Sequence, residues 1–321
     1  MITQSNLIQA NQAEVTLPPD LLYIILGPTA SGKTKLAVQL AQLLQGEIIS
    51  VDSRQVYKGM DIGTGKDIQE YQDIPYHLID ICAPGEKYNV SRFQLDFEAA
   101  YTEVLAREKR VIACGGTGMY LHALLQQRPY IDVPTNIVLR ETLLQLTKDE
   151  LLERLKQLPM PTDFLADSSS HKRLIRAIEI LTFLQKEPNF LDGIKKKPVY
   201  PHLVFGLDPT LEKRRANISK RLHARLEEGL LEEIKLLLKE GLSHDDLQYY
   251  GLEYKYGSLY LDGVIDRDLF LQKLETEIHR YAKRQMTFFR KMEKDGIKIH
   301  WLKGETTEEQ LYEIIQQLKK G

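Results

Sequence analysis

One octapeptide, Gly27-Pro28-Thr29-Ala30-Ser31-Gly32-Lys33-Thr34, constrains this chain more than any other feature. It fits G-x-x-x-x-G-K-[ST], with an apolar run before it (Leu21–Leu26) and helically spaced Leu36, Ala37, Leu40, Ala41 and Leu44 after it. A buried strand that enters such a turn and leaves as a helix can wrap phosphate oxygens with backbone N–H groups, at the positive end of a helix dipole. Lys33 supplies a point charge for the outer phosphate, and the Thr34 hydroxyl is placed for Mg²⁺. A diphosphate or triphosphate ligand with Mg²⁺ is the expectation, and the loop alone does not say which.

The alternation of strand and helix continues. Glu47–Val51 reads as a second buried strand ending at Asp52. Ser91 is positioned to cap a helix running to about Glu108, with Phe93, Phe97, Ala100, Tyr101, Val104 and Leu105 on its apolar face. Arg110–Cys114 is a third strand, turned by Gly115-Gly116-Thr117-Gly118 into another short helix. Repeated βαβ units predict an α/β chain, a P-loop NTPase-like parallel sheet flanked by helices.

From Arg128 the character changes: Pro129, Pro134, Pro159 and Pro161 punctuate helical segments such as Leu139–Leu158. This predicts a mainly helical inserted domain over 128–197, between a core over 21–127 and its continuation over 198–321. Tyr200–Leu207 reads as a strand returning to the sheet, and Ile297–Leu302 as one more. Helices are expected over Leu211–Glu228, Leu230–Glu240 and Arg267 to about Lys294. Residues 1–20 have neither a basic start nor an apolar stretch, so they read as a flexible lead-in rather than a secretory signal. No run of eighteen apolar residues predicts a membrane span, and Cys82 and Cys114 alone make no disulfide framework, so a cytoplasmic home is expected.

Three further groups carry chemistry. Asp52 ends a strand at the carboxyl edge of the sheet, where doubly wound folds bind ligands; a turn or capping aspartate is the competing reading. Ser53, Arg54 and Gln55 follow it with a hydroxyl, a guanidinium and an amide. The Gly115–Gly118 turn lies on the same edge and points the Thr117 hydroxyl into the cleft, although tight strand-to-helix turns need glycine anyway. Arg214, Arg215, Arg221 and Arg225 share one helix; most read as a solvated face, with one available to a leaving phosphate. Arg280, Lys283, Arg284, Arg290 and Lys291 interleave with Tyr281, Phe288 and Phe289 on the long helix, either around a core or as a nucleic-acid strip. With Lys+Arg 43 against Asp+Glu 45 the chain is not basic overall, so any such binding depends on where the charge sits. No zinc pair, G-x-S-x-G elbow or protein-kinase signature occurs, and the lack of a clear Walker-B strand argues against a motor ATPase.

Taken together, GPTASGKT (27–34), GEIISVDSRQVYKGMDIGTGK (46–66), YHLID (76–80), ACGGTGMYLHALL (113–125), KRLIRAIEI (172–180) and YAKRQMTFFR (281–290) resemble the tRNA dimethylallyltransferases, also called tRNA isopentenyltransferases, along nearly the whole chain. The resemblance implies transfer of a dimethylallyl group from dimethylallyl diphosphate to N6 of the adenosine 3′ of the anticodon, in tRNAs reading codons that begin with U. It implies that Asp52 is the general base, with Thr117 beside it and Lys33 at the diphosphate. Gly27, Pro28, Thr29, Ala30, Ser31, Gly32, Lys33 and Thr34 would hold the diphosphate and Mg²⁺, helped by Arg214. Asp52, Ser53, Arg54, Gln55, Lys172, Arg173, Arg176, Lys283, Arg284, Gln285 and Arg290 would fall in regions contacting the tRNA anticodon stem-loop, and a monomer is expected.

The match has departures. Gly63-Thr64-Gly65-Lys66-Asp67 stands where the family reads GTAKP, Gly251-Leu252-Glu253-Tyr254 replaces a GYKE-type segment with its charge reversed, and Phe288 replaces a tryptophan. The rival readings are an adenylate dimethylallyltransferase acting on free nucleotide, a P-loop small-molecule kinase and a non-catalytic RNA-binding protein.

Overall fold

A computed structural model of the chain describes residues 18–126, 129–162, 164, 166–193 and 200–319. Most of the expected lead-in (1–17) and the joins at 127–128 and 194–199 lie outside the described residues. The chain divides into two compact units, one formed by Met1–Leu125 with Val199–Gly321, the other by Gln126–Pro198.

The first unit is built on a six-stranded sheet: β1 (Leu22–Leu26), β2 (Gly46–Ser50), β3 (Tyr76–His77), β4 (Arg110–Gly115), β5 (His202–Leu207) and β6 (Ile299–Leu302), in the order β3-β2-β4-β1-β5-β6. Every pairing is parallel, so the expected α/β sheet flanked by helices is what the chain forms. Strands buried on both faces need apolar residues at both phases of the pleat. In β1, Leu22, Ile24 and Leu26 pack into one core, while Tyr23 and Ile25 pack into the other. The first core is covered by α2 (Val90–Ala106), α3 (Gly118–Leu125) and the end of α11 (Arg267–Lys294); the second is covered by α1 (Lys33–Leu44) and α12 (Thr307–Leu318). Helices α7 (Leu211–Glu227), α8 (Leu230–Lys239), α9 (His244–Leu247) and α10 (Leu252–Leu261) complete the unit.

The cap of α2 is Asn89, whose side chain accepts the Arg92 N–H at 3.0 Å, and not Ser91 as the sequence suggested. Two cap-forming residues two positions apart compete here, and the one whose backbone is extended wins.

The second unit holds α4 (Ile137–Leu144), α5 (Lys148–Lys156) and α6 (His171–Lys186) around Leu143, Leu151, Leu174 and Ile178. Leu139–Leu158 is therefore two helices rather than one. The break is at Thr147, which forms a reciprocal capping box with Glu150 and starts a new helix. Among the described residues no helix is long and apolar enough to cross a membrane.

Candidate active site

Because β2, β4 and β1 are neighbours, the loops leaving their carboxyl ends lie side by side. These are the Asp52 loop, the Gly115–Gly118 turn and the Gly27–Thr34 loop. They line a cavity of about 320 Å³, in the range of small-ligand sites. Thr29, Lys33, Thr34, Asp52, Ser53 and Gly115 face it, and α7 and α11 close it with Arg221, Arg225, Tyr281 and Arg284.

The phosphate loop turns sharply through left-handed backbone at Ala30 (φ 58°) and Gly32 (φ 84°) before α1 begins. It is tied from two sides. Asn217 of α7 donates to the Ala30 carbonyl at 3.1 Å, and Gln285 of α11 accepts the Thr29 N–H at 2.9 Å. Burial pushes the Lys33 ammonium below the ordinary lysine range, with Arg221 adding to that push while Cys114, Asp52 and Asp67 oppose it. Stripped of solvent, this ammonium is poised for an anion. Burial raises the Cys114 thiol beneath it to about 12, so Cys114 is a neutral neighbour and no nucleophile.

Asp52 is half-buried, and its Oδ1 accepts the Arg54 N–H at 2.8 Å, which turns the chain back over the strand end. The Thr117 hydroxyl accepts the Ser53 N–H at 3.1 Å and so couples the Gly115–Gly118 turn to the Asp52 loop. That coupling requires close approach: a Cβ on Gly115 would stand 2.1 Å from the Val51 carbonyl oxygen. The Arg54 guanidinium lies over the Tyr249 ring, 4.8 Å from its centre.

Several expected tRNA-contacting residues have hydrogen-bond partners within the protein. The Gln55 amide is used at both ends, accepting from Ser50 Oγ at 2.8 Å and donating to the Gly65 carbonyl at 2.8 Å. Gln285, buried inside α11, donates to the Gly116 carbonyl at 2.9 Å while holding Thr29; it is a strut between two loops rather than a surface reader. In the second unit Arg176 is bound to the buried Glu179 at 2.6 Å and to the Val133 carbonyl at 2.6 Å. Lys172 remains exposed and Arg173 pairs with Asp167 at 3.0 Å. On α11, Lys283, Arg284 and Arg290 are exposed, and Phe288 packs against Gly118, supporting the turn.

Arg214 does not line the cavity; its guanidinium faces Asp208 at 4.0 Å near the start of α7. The arginines that do line it are Arg221 and Arg225, two and three turns further along the same face. Their neighbours include the departures from the family pattern: Asp67 lies 3.4 Å from Arg221, Glu253 lies 3.0 Å from Arg225, and Gly65 lies beneath both. Lys66 is buried between Asp61 and Asp80 and donates to the Tyr57 carbonyl at 2.7 Å, pinning this loop. The Glu233 carboxylate accepts the N–H groups of Asp61, Ile62 and Gly63 and the Tyr254 hydroxyl, holding it from the other side.

As for a metal, no cluster of three or more acidic, His or Cys side chains occurs among the described residues. Mg²⁺ needs no such cage, since it is commonly held by one or two protein oxygens and the phosphates of its substrate. The Thr34 hydroxyl, which faces the cavity, suits that arrangement.

The family model described as IPP transferase matches residues 55–292, and that described as Isopentenyl transferase matches residues 20–73. The tRNA dimethylallyltransferase 1 of Azobacteroides pseudotrichonymphae genomovar. CFP2 is 50% identical over 288 residues, covering 88% of this chain and 92% of that protein. The tRNA dimethylallyltransferase 2 of Porphyromonas gingivalis is 49% identical over 285 residues, covering 88% and 93%. The crystal structure of the tRNA isopentenylpyrophosphate transferase of Bacillus halodurans is similar with a TM-score of 0.68 at 32% identity, over 94% of this chain and 96% of that one. A eukaryotic dimethylallyltransferase acting on tRNA superposes with a TM-score of 0.70 at 26% identity, over 87% and 73%.

Proposed function

Because this chain belongs to the tRNA dimethylallyltransferase (IPP transferase) family and is a tRNA-prenylating enzyme, we propose that it carries a dimethylallyl group from dimethylallyl diphosphate to N6 of the adenosine immediately 3′ of the anticodon, in tRNAs reading codons that begin with U. The observation that carries the reading is one cavity with a carboxylate, Asp52, and a cluster of cations, the half-buried Lys33 and Arg221 and the buried Arg225. A base and an acceptor for a departing polyanion are what alkylation of a weak amine by a diphosphate ester requires.

In the reaction the N6 lone pair forms a bond to C1 of the dimethylallyl group, the C1–oxygen bond breaks, and the diphosphate leaves with its electron pair. The N6 proton passes to Asp52, held in place by the Arg54 amide. Lys33 and the arginines meet the charge that gathers on the leaving oxygens. The Thr34 hydroxyl would hold Mg²⁺, which would supply neutralisation of part of the same charge. N6 of a stacked anticodon loop cannot reach Asp52, so the adenosine is flipped into the cavity, and the exposed Lys283, Arg284 and Arg290 meet the backbone of the stem-loop. A cytoplasmic, monomeric enzyme is part of the same reading.

The test is incubation with labelled dimethylallyl diphosphate, Mg²⁺ and either tRNA or AMP. Label in tRNA alone, at the adenosine 3′ of the anticodon, is the expected result. Efficient labelling of AMP, or phosphate transfer from ATP in its place, would defeat the proposal.

A further inference from the structure

Three of the cations that line the cavity lie on tyrosine rings, and each comes from a different element. The Arg54 guanidinium, in the loop after β2, stands 4.8 Å from the centre of the Tyr249 ring. The Lys255 ammonium, on α10, stands 5.4 Å from the centre of Tyr256, and the Arg284 guanidinium, on α11, 6.0 Å from that of Tyr281. Tyr249 is 43% exposed and the Arg284 side chain 59%, so these pairs stand at the open rim and not on the floor. A ring face attracts a cation without neutralising it or occupying its in-plane N–H donors. Among the described residues, Arg54 and Lys255 have no carboxylate within ion-pairing distance, and Arg284 has only Glu277, at 3.9 Å. A fourth cation–ring pair gives the contrast: Arg92 over Tyr88 does not line the cavity and is neutralised by Glu86 at 2.8 Å. In the segment whose charge is reversed, Glu253 is paired with Arg225 at 3.0 Å, which leaves Lys255 as the cation that this segment offers a ligand.

We propose that Arg54, Lys255 and Arg284, each seated on a tyrosine ring, form a rim that grips the phosphates on either side of the adenosine in the cavity, and so admits an adenosine within an RNA strand in preference to a free nucleotide. The inference rests on reading the chain as an enzyme that takes a flipped tRNA adenosine. An extruded nucleotide brings its own backbone to the mouth of the cavity, since its ribose is joined to one phosphate on the 5′ side and another on the 3′ side. The forks of Arg54 and Arg284 match phosphate oxygens, and Lys255 adds a point charge. AMP has one phosphate and leaves part of the rim unmet. The rings hold the cations in place before the RNA arrives, which lowers the ordering cost of binding. A ring carries no net charge, so no ion pair has to break when a phosphate takes the cation.

Binding of the anticodon stem-loop RNA across a salt series tests this, with a natural backbone and with uncharged methylphosphonates at the two linkages flanking the adenosine. Arg54→Gln combined with Lys255→Gln should weaken binding of the natural RNA about 10- to 100-fold and lower the slope of log affinity against log salt by about one to two. The wild type should bind the methylphosphonate RNA about as weakly as the double variant binds the natural one, and the double variant should lose little more on it. Tyr249→Leu should weaken binding with the salt slope unchanged, because the charge stays, whereas Tyr249→Phe should match the wild type. A Tyr249→Leu variant with wild-type affinity would overturn the role of the rings. If the double variant does not fold, Arg284→Gln carries the same expectation, with a slope lower by about one. Equal losses for wild type and double variant on passing to the methylphosphonate RNA would overturn the rim, while prenylation of tRNA by the wild type would leave the reaction standing. A wild type that neither binds nor prenylates the stem-loop would overturn the reading on which the rim rests.

Discussion

Replacing Gln285 by methionine separates two roles for one residue. Sequence resemblance puts Gln285 among tRNA-contacting positions, whereas the structure spends its amide on the Thr29 N–H and the Gly116 carbonyl, each at 2.9 Å. Methionine nearly conserves the volume of this buried side chain, so the lost hydrogen bonds dominate. Gly116 is buried and its carbonyl bears the full cost of losing a partner; Thr29 is half-buried and recovers part from water. Together these amount to about 2–4 kcal/mol. At roughly 2 °C per kcal/mol for a chain of this size, Tm should fall by about 4–8 °C. The phosphate loop also loses its tie to the Gly115–Gly118 turn, and displacement on the ångström scale costs up to about 100-fold in rate. Thermal melts, with steady-state kinetics in which dimethylallyl diphosphate and tRNA are varied separately, make the comparison. The strut predicts a lower Tm and a loss in kcat/KM for dimethylallyl diphosphate. An unchanged Tm with a raised KM for tRNA alone would refute it.

Asp52→Asn should lower the single-turnover rate by about 10²–10⁴-fold while tRNA affinity stays within a small factor; near wild-type turnover would make Asp52 a turn residue only. Charge reversal at Lys283 and Arg284 should weaken tRNA binding and reduce the slope of log affinity against log salt by about two, and an unchanged slope would leave this a solvated face. Glu47, buried at the start of β2, is held below the usual carboxylate range by its hydrogen bond to Arg107, with His77 assisting. Its contribution to stability is therefore complete above the unfolded value near 4.5 and is lost as pH falls through the lower folded value. Glu47→Gln should cost about 1–3 kcal/mol at pH 7, and the melting curves of variant and wild type should converge in acid; a gap that persists at pH 3 would contradict the assignment.

Much of the sheet was legible because its signals are local. The apolar runs at β1 and β4 stop at glycine where the backbone must turn, and α11 spans Arg267–Lys294, where its apolar period begins and ends. β3 was not legible: two residues, Tyr76 and His77, cannot carry a period-two pattern, and they are a strand only because β2 offers them an edge. The split at Thr147 had a readable signal, since Thr147-Lys148-Asp149-Glu150 is a capping box, but the surrounding leucines continue the helical period across it. Arg214, Arg221 and Arg225 show a different limit. All three lie on one face of α7, and only the packing of that helix determines which part of the face meets the cavity. Glu253 likewise reads as an isolated charge reversal until Arg225 is placed beside it.

The proposed reaction is prenylation of N6 of an anticodon-loop adenosine in tRNA. Mass spectrometry of nucleosides from bulk tRNA, taken from cells with the chain, without it and with its Asp52→Asn variant, tests that claim most directly. N6-dimethylallyl adenosine or its further-modified forms are expected in the first sample, and their loss in the other two. An identical nucleoside profile in all three would contradict it.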